Sequence, residues 1–432
     1  VRATGQPSRI VFASSLRRGS KLDHRVRPTV HHLPRTDSGK MGFSHLETAN
    51  SLEPSVGHRV LREQHPLFRE DAHHPPFWVI SRHGDVLDVL KRAELWSNAD
   101  GPGVFYQTGG VLGSAGDPDH ARQRQVLRDV FLPSRMRALE ARLADILNEL
   151  WSVFDEAGEG DFVSLFAFPF PAMAVAEVLG VDADDRDQFR VWADDIVAGL
   201  GGGDLNLVER ANENLWSYIG DQVDRRLALI AAGEPLPDDA ITTMTQAHLG
   251  GRLSRWEIQR LGHQLLVAGH ETTASLIALA LYRLANQPEL ADQLREDPGL
   301  LEGAVEEFLR FDSPVQGLFR TNTRSCPVRG VEIPEGTKLQ VMFAAANRDP
   351  DIWEDPDSIR FDRDVRVSRQ HLAFGWGTHF CIGAPLARLE ARLALHRMVE
   401  HFGTVEVLEE PLTTPPFILR GFSELKVRWT VR

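Results

Sequence analysis

Phe374-Gly375-Trp376-Gly377-Thr378-His379-Phe380-Cys381-Ile382-Gly383 holds one thiol in a glycine-punctuated loop, and a helix-like run, Ala384-Pro385-Leu386-Ala387-Arg388-Leu389-Glu390, follows at once. Glycine tolerates backbone conformations closed to other residues, so Gly375, Gly377 and Gly383 let a flat ligand approach the main chain. Backbone N–H groups at a helix start favour an anionic sulfur. A soft thiolate held in this way is suited to a single axial bond to iron. A buried structural cysteine is the commoner fate of a lone Cys, and it is the pattern around Cys381 that argues for a ligand instead.

The rest of the composition bounds what such a loop can belong to. The chain has 432 residues, 42% of them hydrophobic, enough to bury a sizeable core. With only Cys326 and Cys381 present, a disulfide framework is not expected and a reducing, cytoplasmic compartment is. A net charge of −13 argues against a nucleic-acid partner, because phosphate binding relies on Lys and Arg. Charge is uneven: residues 1–40 carry nine Lys/Arg against two Asp/Glu, which leaves −20 for residues 41–432. The expected division is therefore a disordered basic leader, 1–40, and one folded domain, 41–432. The leader is Arg- and Ser-rich like a mitochondrial transit peptide, while Met41 is equally consistent with an over-extended start.

Short-range pattern places a strand at residues 77–81 and a helix from Gly84 towards Leu95. Residues 97–113 are glycine-rich and aperiodic, a loop of a length that is often functional. Helical patterns dominate to about residue 311, with breaks expected at Pro133, Pro171, Gly201–Gly203 and Pro235–Pro237, and short strands follow Pro314. The longest helix is expected from Ser254 to about residue 285, with Ser254 and Glu257 as a capping box. Its second half is apolar enough for a membrane span, but His263, Gln264, His270, Glu271, Thr272 and Thr273 interrupt it, and such groups are costly in lipid. A buried core helix with a polar break is the expectation. Glu307 and Arg310 share a helix face, where such pairs are usually solvated.

In this order along the chain, these segments resemble the haem-thiolate monooxygenases of the cytochrome P450 family, over roughly residues 50–432. That family's cysteine loop has a Phe, a Gly three on, the Cys four later and a final Gly, matched by Phe374, Gly377, Cys381 and Gly383. Its long central helix carries a small residue, Gly, any residue, an acid and Thr, matched by Ala268, Gly269, Glu271 and Thr272. The resemblance implies a mainly α cytochrome P450 fold, a helical domain with a smaller β-rich region. It implies haem b with Cys381 as iron ligand, and a cofactor-binding set of His120, Arg124, Ala268, Arg320, Phe374, Gly375, His379 and Gly383. It makes Glu271 and Thr272 the catalytic pair that delivers protons; His270, about 100° around the helix from Glu271, faces elsewhere and is read as structural. Glu307, Arg310 and Arg363 become a buried structural triad. Trp376 is an unusually large ring at a variable position, and the basic leader is not a family feature.

By family position the substrate pocket draws on Phe105, Tyr106, Gln264, Val267, Leu318, Phe417 and Ile418. It is mostly apolar, with Tyr106, Gln107 and Gln264 as candidate polar contacts. The expected activity is insertion of one oxygen atom of O2 into a medium-sized apolar molecule such as a terpenoid, steroid-like or aromatic compound. Two cysteines cannot hold a four-thiolate cluster, so electrons are expected from a separate ferredoxin and its NAD(P)H-dependent reductase, without a membrane span. The competing functions are a peroxide-driven peroxygenase and a non-catalytic haem or small-ligand binder.

Overall fold

A computed structural model of the chain describes His45, Leu46 and residues 51–432, apart from positions 108, 183–184, 186–187, 189–190, 193–194, 196–204 and 415–416. The basic leader and the Gly201–Gly203 break lie outside the described residues. The described chain opens with helix α1 (Ser55–Gln64) and an antiparallel pair, β1 (Leu67–Glu70) with β2 (Phe77–Ile80). β2 is the aromatic and β-branched run expected to be a strand. β1, Leu-Phe-Arg-Glu, has no such bias and is extended because β2 gives it a pairing edge. Helix α2 (His83–Lys91) buries Val86, Val89 and Leu90, and strand β3 (Trp96–Ser97) follows. The 97–113 stretch is a loop whose far end tightens into a 3-10 turn at Leu112–Ser114.

Helices then dominate: α3 (Asp119–Leu127), α4 (Pro133–Trp151), the short strand β4 (Gly158–Asp161), α5 (Pro169–Leu179), α6 (Leu205–Ala232), α7 (Ala240–Leu249), α8 (Arg255–Asn286), α9 (Pro288–Glu296) and α10 (Leu301–Asp312). Pro133, Pro169 and Pro288 occupy first turns, where no intrahelical N–H bond is lost. Pro171 does not break the chain as expected. It falls within the first turn of α5, where its missing N–H is one of the orphaned donors.

Beyond α10 come β5 (Leu318–Asn322), β6 (Cys326–Val328), β7 (Val331–Ile333), β8 (Lys338–Val341), α11 (Phe343–Ala346) and α12 (Val365–Ser368). The cysteine loop leads into α13 (Ala384–His401), and β9 (Phe402–Val407), β10 (Leu412–Thr413), β11 (Phe422–Glu424) and β12 (Lys426–Val431) close the chain. A five-stranded sheet has the order β1-β2-β8-β5-β3, with β2 and β8 parallel, and β4-β12-β9 form a second sheet. In β5, Leu318 and Arg320 are two apart and so share one face.

α8 organises the helical part. Its capping box is complete: Ser254 Oγ accepts from Glu257 N at 3.2 Å, and the Glu257 carboxylate accepts from Ser254 N at 2.8 Å. By length and composition α8 is long and apolar enough to cross a membrane, yet 72% of its apolar window is buried inside the protein. Leu276, Ile277 and Ala280 of α8 face Ala391, Ala394 and Leu395 of α13 across a dry contact, and α5 and α6 pack along other sides. A helix packed on several sides shows no single apolar stripe. This is the core helix with a polar break that the sequence implied.

Candidate active site

The cysteine loop is shaped by two left-handed glycines, Gly375 at φ +68° and Gly377 at φ +69°. A Cβ on Gly377 would stand 3.1 Å from the carbonyl oxygen of Leu90 at the end of α2, so backbone conformation and close packing both require glycine there. Gly383 is different: at φ −80° it is an ordinary N-cap of α13. The loop closes on itself through Cys381 N donating to Phe374 O at 2.9 Å and Phe380 N donating to Gly377 O at 3.0 Å. Cys381 is solvent-accessible by area, yet protein surrounds it closely enough that burial pushes its thiol up. The N–H groups of Gly383 and Ala384 and the charges of Arg124 and Arg388 pull the other way without prevailing. The N–H groups at the helix start favour the anion, as the sequence implied, but burial outweighs them. A metal ion bound by the sulfur would supply the missing positive charge, because a coordinated thiol is deprotonated.

Beside this thiol, four basic side chains converge. Arg320 is only 5% exposed, and its side chain donates from Nη1 to Phe319 O at 2.8 Å. Among the described residues neither Arg320 nor Arg124 has an ion-pair partner. Burial pulls Arg320 down to about 10 and lowers Arg124, which the Cys381 sulfur raises in turn. The His120 and His379 rings lie 4.0 Å apart at 33°, and the Nδ1 atom of each is buried without a hydrogen bond. Asp117 stands 3.4 Å from His120 Nδ1 but makes no well-aligned bond to it. Burial, followed by the charges of His120, Arg320 and Arg124, holds His379 at about 3. Burying cations unpaired is costly. Two guanidinium groups and two unsatisfied imidazoles beside a thiol fit the two propionate carboxylates and the iron of haem.

One face of α8 stays accessible within an otherwise buried helix. Gln264, Val267, Ala268 and Thr272 lie on it at helical spacing, and Ala268 is exposed mid-helix. Thr272 Oγ1 donates to Ala268 O at 2.8 Å, a bond to the preceding turn that loosens the ladder. His270 points the other way: it is fully buried, with Nε2 2.9 Å from Phe168 O. Glu271 is buried without an ion-pair partner among the described residues, and burial alone raises its carboxyl to about 7. A carboxyl of that acidity is matched to proton transfer near neutral pH.

The Glu271 shift carries a stability consequence. Its folded value lies above its unfolded one, so the fold favours the protonated acid. That contribution is fully present below about pH 4.5 and is lost as pH rises through about 7. Glu271→Gln removes the dependence, and the variant's stability relative to the parent should rise by about 2 kcal/mol between pH 5.5 and 8.5. Urea unfolding at the two pH values checks this; a difference that does not change with pH would show that burial does not hold the acid protonated.

The expected pocket residues separate. Gln316 N donates to Ile418 O at 2.8 Å and Val315 bridges Leu419, which brings the Leu318 strand to the loop holding Phe417 and Ile418. Phe417 stacks with Phe77 at 6.0 Å, meets Phe319 edge-on, and lies 6.1 Å from His73, which in turn is 6.0 Å from Phe105. Gln264 lies under the far end of the 97–113 loop, where a Cβ on Gly113 would be 2.8 Å from Gln264 Nε2. Phe105 and Tyr106 are 58% and 53% exposed, so neither is an interior lining residue here. Tyr106 does not offer its hydroxyl to a pocket: it donates to Gly336 O, and its ring lies 4.9 Å from Lys338 Nζ. Lys338 in turn donates to Asp100 O and Gly101 O, at 2.8 and 2.9 Å, and clamps the near end of the loop.

Glu307 and Arg310 form a wholly buried bidentate pair, with Nε and Nη2 at 2.8 and 2.7 Å, rather than a solvated one. Arg363 Nε joins Glu307 at 3.1 Å. Sequence reasoning missed the parts played by His73, Phe77 and Lys338, whose partners are remote in the chain. It also missed Gln123, which ties Leu112 N to the Glu257 cap of α8.

The profile of the family described as Cytochrome P450 matches residues 208–427. The chain is 34% identical over 371 residues to cytochrome P450 107B1 of Saccharopolyspora erythraea, covering 81% of this chain and 89% of that protein. It is 33% identical over 391 residues to the vitamin D(3) 25-hydroxylase of Pseudonocardia autotrophica, covering 87% and 93%. Among solved structures, CYP109E1 of Bacillus megaterium in complex with testosterone superposes with a TM-score of 0.77 at 29% identity, covering 87% of this chain and 99% of that one. Sequence, cysteine loop and fold lead to one conclusion: the chain belongs to the cytochrome P450 family.

Proposed function

We propose that Cys381 would ligate the haem iron, that Arg124, Arg320, His120 and His379 would hold its propionates, and that Glu271 and Thr272 would supply the protons the reaction consumes. As a member of its family the protein is a haem-thiolate monooxygenase acting on organic substrates. The thiolate-ligated haem supplies O2 activation and transfer of one oxygen atom; the protein supplies position, protons and exclusion of water. Phe374, Gly375 and Gly383 form the cradle around the ligand, and Ala268 is the small residue that leaves room on the α8 face. Thr272 Oγ1, already donating to Ala268 O, keeps its lone pairs free to accept from a water, and Glu271 refills that water with protons. The observation that carries this reading is the thiol beside a cluster of buried, unpaired cations.

Electrons reach this family's members from redox partners, and here a ferredoxin with an NAD(P)H-dependent reductase is the pair proposed, in the cytoplasm. Residues 41–432 are proposed as the catalytic domain, preceded by the basic leader 1–40. The substrate class is a medium-sized apolar, steroid-like or terpenoid molecule. The aromatic surfaces of Phe77, Phe319 and Phe417 next to Leu318 and Ile418 support it, as do the sterol-type compounds named for two relatives.

The test is the absorption spectrum of dithionite-reduced protein with and without carbon monoxide, followed by turnover with a ferredoxin system. A strongly red-shifted Soret band is expected. Thr272→Ala should lose O2-coupled turnover while peroxide-driven turnover survives. Equal losses in both assays would favour a peroxygenase, and no turnover with any ferredoxin system would favour a binding protein.

A further inference from the structure

Next to the buried Glu307 on α10 stands a second buried acid that the site described so far does not use. Glu306 is 1% exposed and takes a bidentate pair from Arg388 of α13, with Nε at 2.6 Å and Nη2 at 2.9 Å. His371 Nε2 reaches Glu306 Oε2 at 2.9 Å, while His371 Nδ1 accepts from Ala373 N at 3.2 Å. The imidazole is therefore the neutral tautomer with its proton on Nε2. Burial pushes Glu306 up, but the bonds from His371 and Arg388 outweigh it and hold the acid at about 2, so it is charged. Arg369 stands further off, 3.8 Å from Glu306. On its other side, the Arg388 guanidinium lies over the Phe374 ring, 4.5 Å from the centroid, and Phe374 O accepts the Cys381 N–H.

The result is an oriented charge pair behind the cysteine loop, with its positive end against Phe374 and its negative end buried on α10. We propose that Arg388 and Glu306 are electrostatic positioning residues that set the reduction potential of the haem bound to Cys381: Arg388 raises it, and Glu306 holds Arg388 in place and lowers it. This rests on Cys381 being the ligand.

The physical basis is short. Adding an electron to the haem is favoured by a nearby cation and opposed by a nearby anion, and both effects are larger away from bulk water. Arg388 is the charge that touches the loop: its guanidinium lies over the Phe374 ring, and Phe374 O accepts the Cys381 N–H, whereas Glu306 meets the loop through Arg388 and His371. An ion pair kept only to join α10 to α13 would have no signed effect on the cofactor. Arg388 is the more accessible partner, its side chain 28% exposed along a groove of about 240 Å³ that Arg137, Glu140, Pro385 and Arg392 line, and His371 and Arg369 remain beside Glu306 when it is replaced.

The experiment is a dye-mediated redox titration of haem-loaded protein for the parent, Arg388→Met, Arg388→Lys and Glu306→Gln. Carbon monoxide spectra of all four come first. Loss of the red-shifted band in the parent would reject the ligand assignment itself, separately from the charge effect. With the band present, Arg388→Met should shift the potential negative, Glu306→Gln should shift it positive, and Arg388→Lys should stay close to the parent. The lysine variant keeps the charge and loses the planar fork, so it separates charge from geometry. Shifts of one sign in Met and Gln variants, equal shifts in Met and Lys variants, or no shift at all would overturn the proposal. If Glu306→Gln fails to fold, the Met and Lys pair still decides it.

Discussion

Cys381→Ala is expected to abolish the red-shifted band of the reduced carbon monoxide complex and all O2-dependent turnover, with the fold retained. The reason lies in how the loop is held. Its shape comes from the left-handed Gly375 and Gly377 and from the main-chain bond between Cys381 N and Phe374 O, and alanine preserves all three. The deleted sulfur belongs to an exposed residue instead of filling a packed core, so the cavity cost that accompanies core truncation is small here, on the order of 1 kcal/mol. Chemically the change is total, because the one other cysteine, Cys326, is buried in β6 and paired with Ile333 of β7. Circular dichroism and the carbon monoxide spectrum, taken on one preparation, check both halves. A red-shifted band that survives in well-folded Cys381→Ala would mean that another residue carries the thiolate's role.

Glu307→Ala should be the most destabilising single change outside the loop, by about 3–5 kcal/mol, because it leaves buried guanidinium groups without their counter-charge. Oε1 of Glu307 alone accepts from Arg310 Nη2 at 2.7 Å, Arg363 Nε at 3.1 Å and Arg360 N at 2.9 Å. Arg310 is itself fully buried, and its remaining N–H groups are spent on the carbonyls of Asn347, Pro356 and Ser358. One carboxylate therefore gathers α10 and the 347–363 segment that leads to the cysteine loop. A loss of this size is a large share of a typical domain's net stability, so haem retention should fall with it. Glu307→Gln keeps the shape and one acceptor and should cost less. Urea midpoints of the loaded protein measure both, and a cost below about 1 kcal/mol for the alanine variant would place this pair with ordinary surface pairs.

Much of the fold was legible in local pattern. The capping box at Ser254 and Glu257 marked the start of α8 to the residue, since both halves of that device lie within four residues. The 97–113 loop and the short strands after Pro314 were legible for the same reason: turn chemistry and alternation are local. Pro171 was misjudged because a proline reads as a break in sequence, whereas in the first turn of a helix its missing N–H costs nothing. The Glu307–Arg310 spacing could not say whether the pair was solvated, because burial depends on what the 347–363 segment covers. Tyr106 was expected to face substrate; its hydroxyl and ring are taken up instead by Gly336 and Lys338, more than 200 residues away.

The sequence by itself determined the family, the cysteine that carries the chemistry and the order of the helical and strand segments, because these rest on short-range spacing and on residue types that only one chemistry combines. Tertiary structure alone decided the electrical state of the site. Among the described residues it left Arg124 and Arg320 without acidic partners, raised the Glu271 carboxyl to about 7 and set Glu306 and Arg388 behind Phe374. Charge energies depend on distance and on the exclusion of water, and both are fixed only when segments hundreds of residues apart have packed.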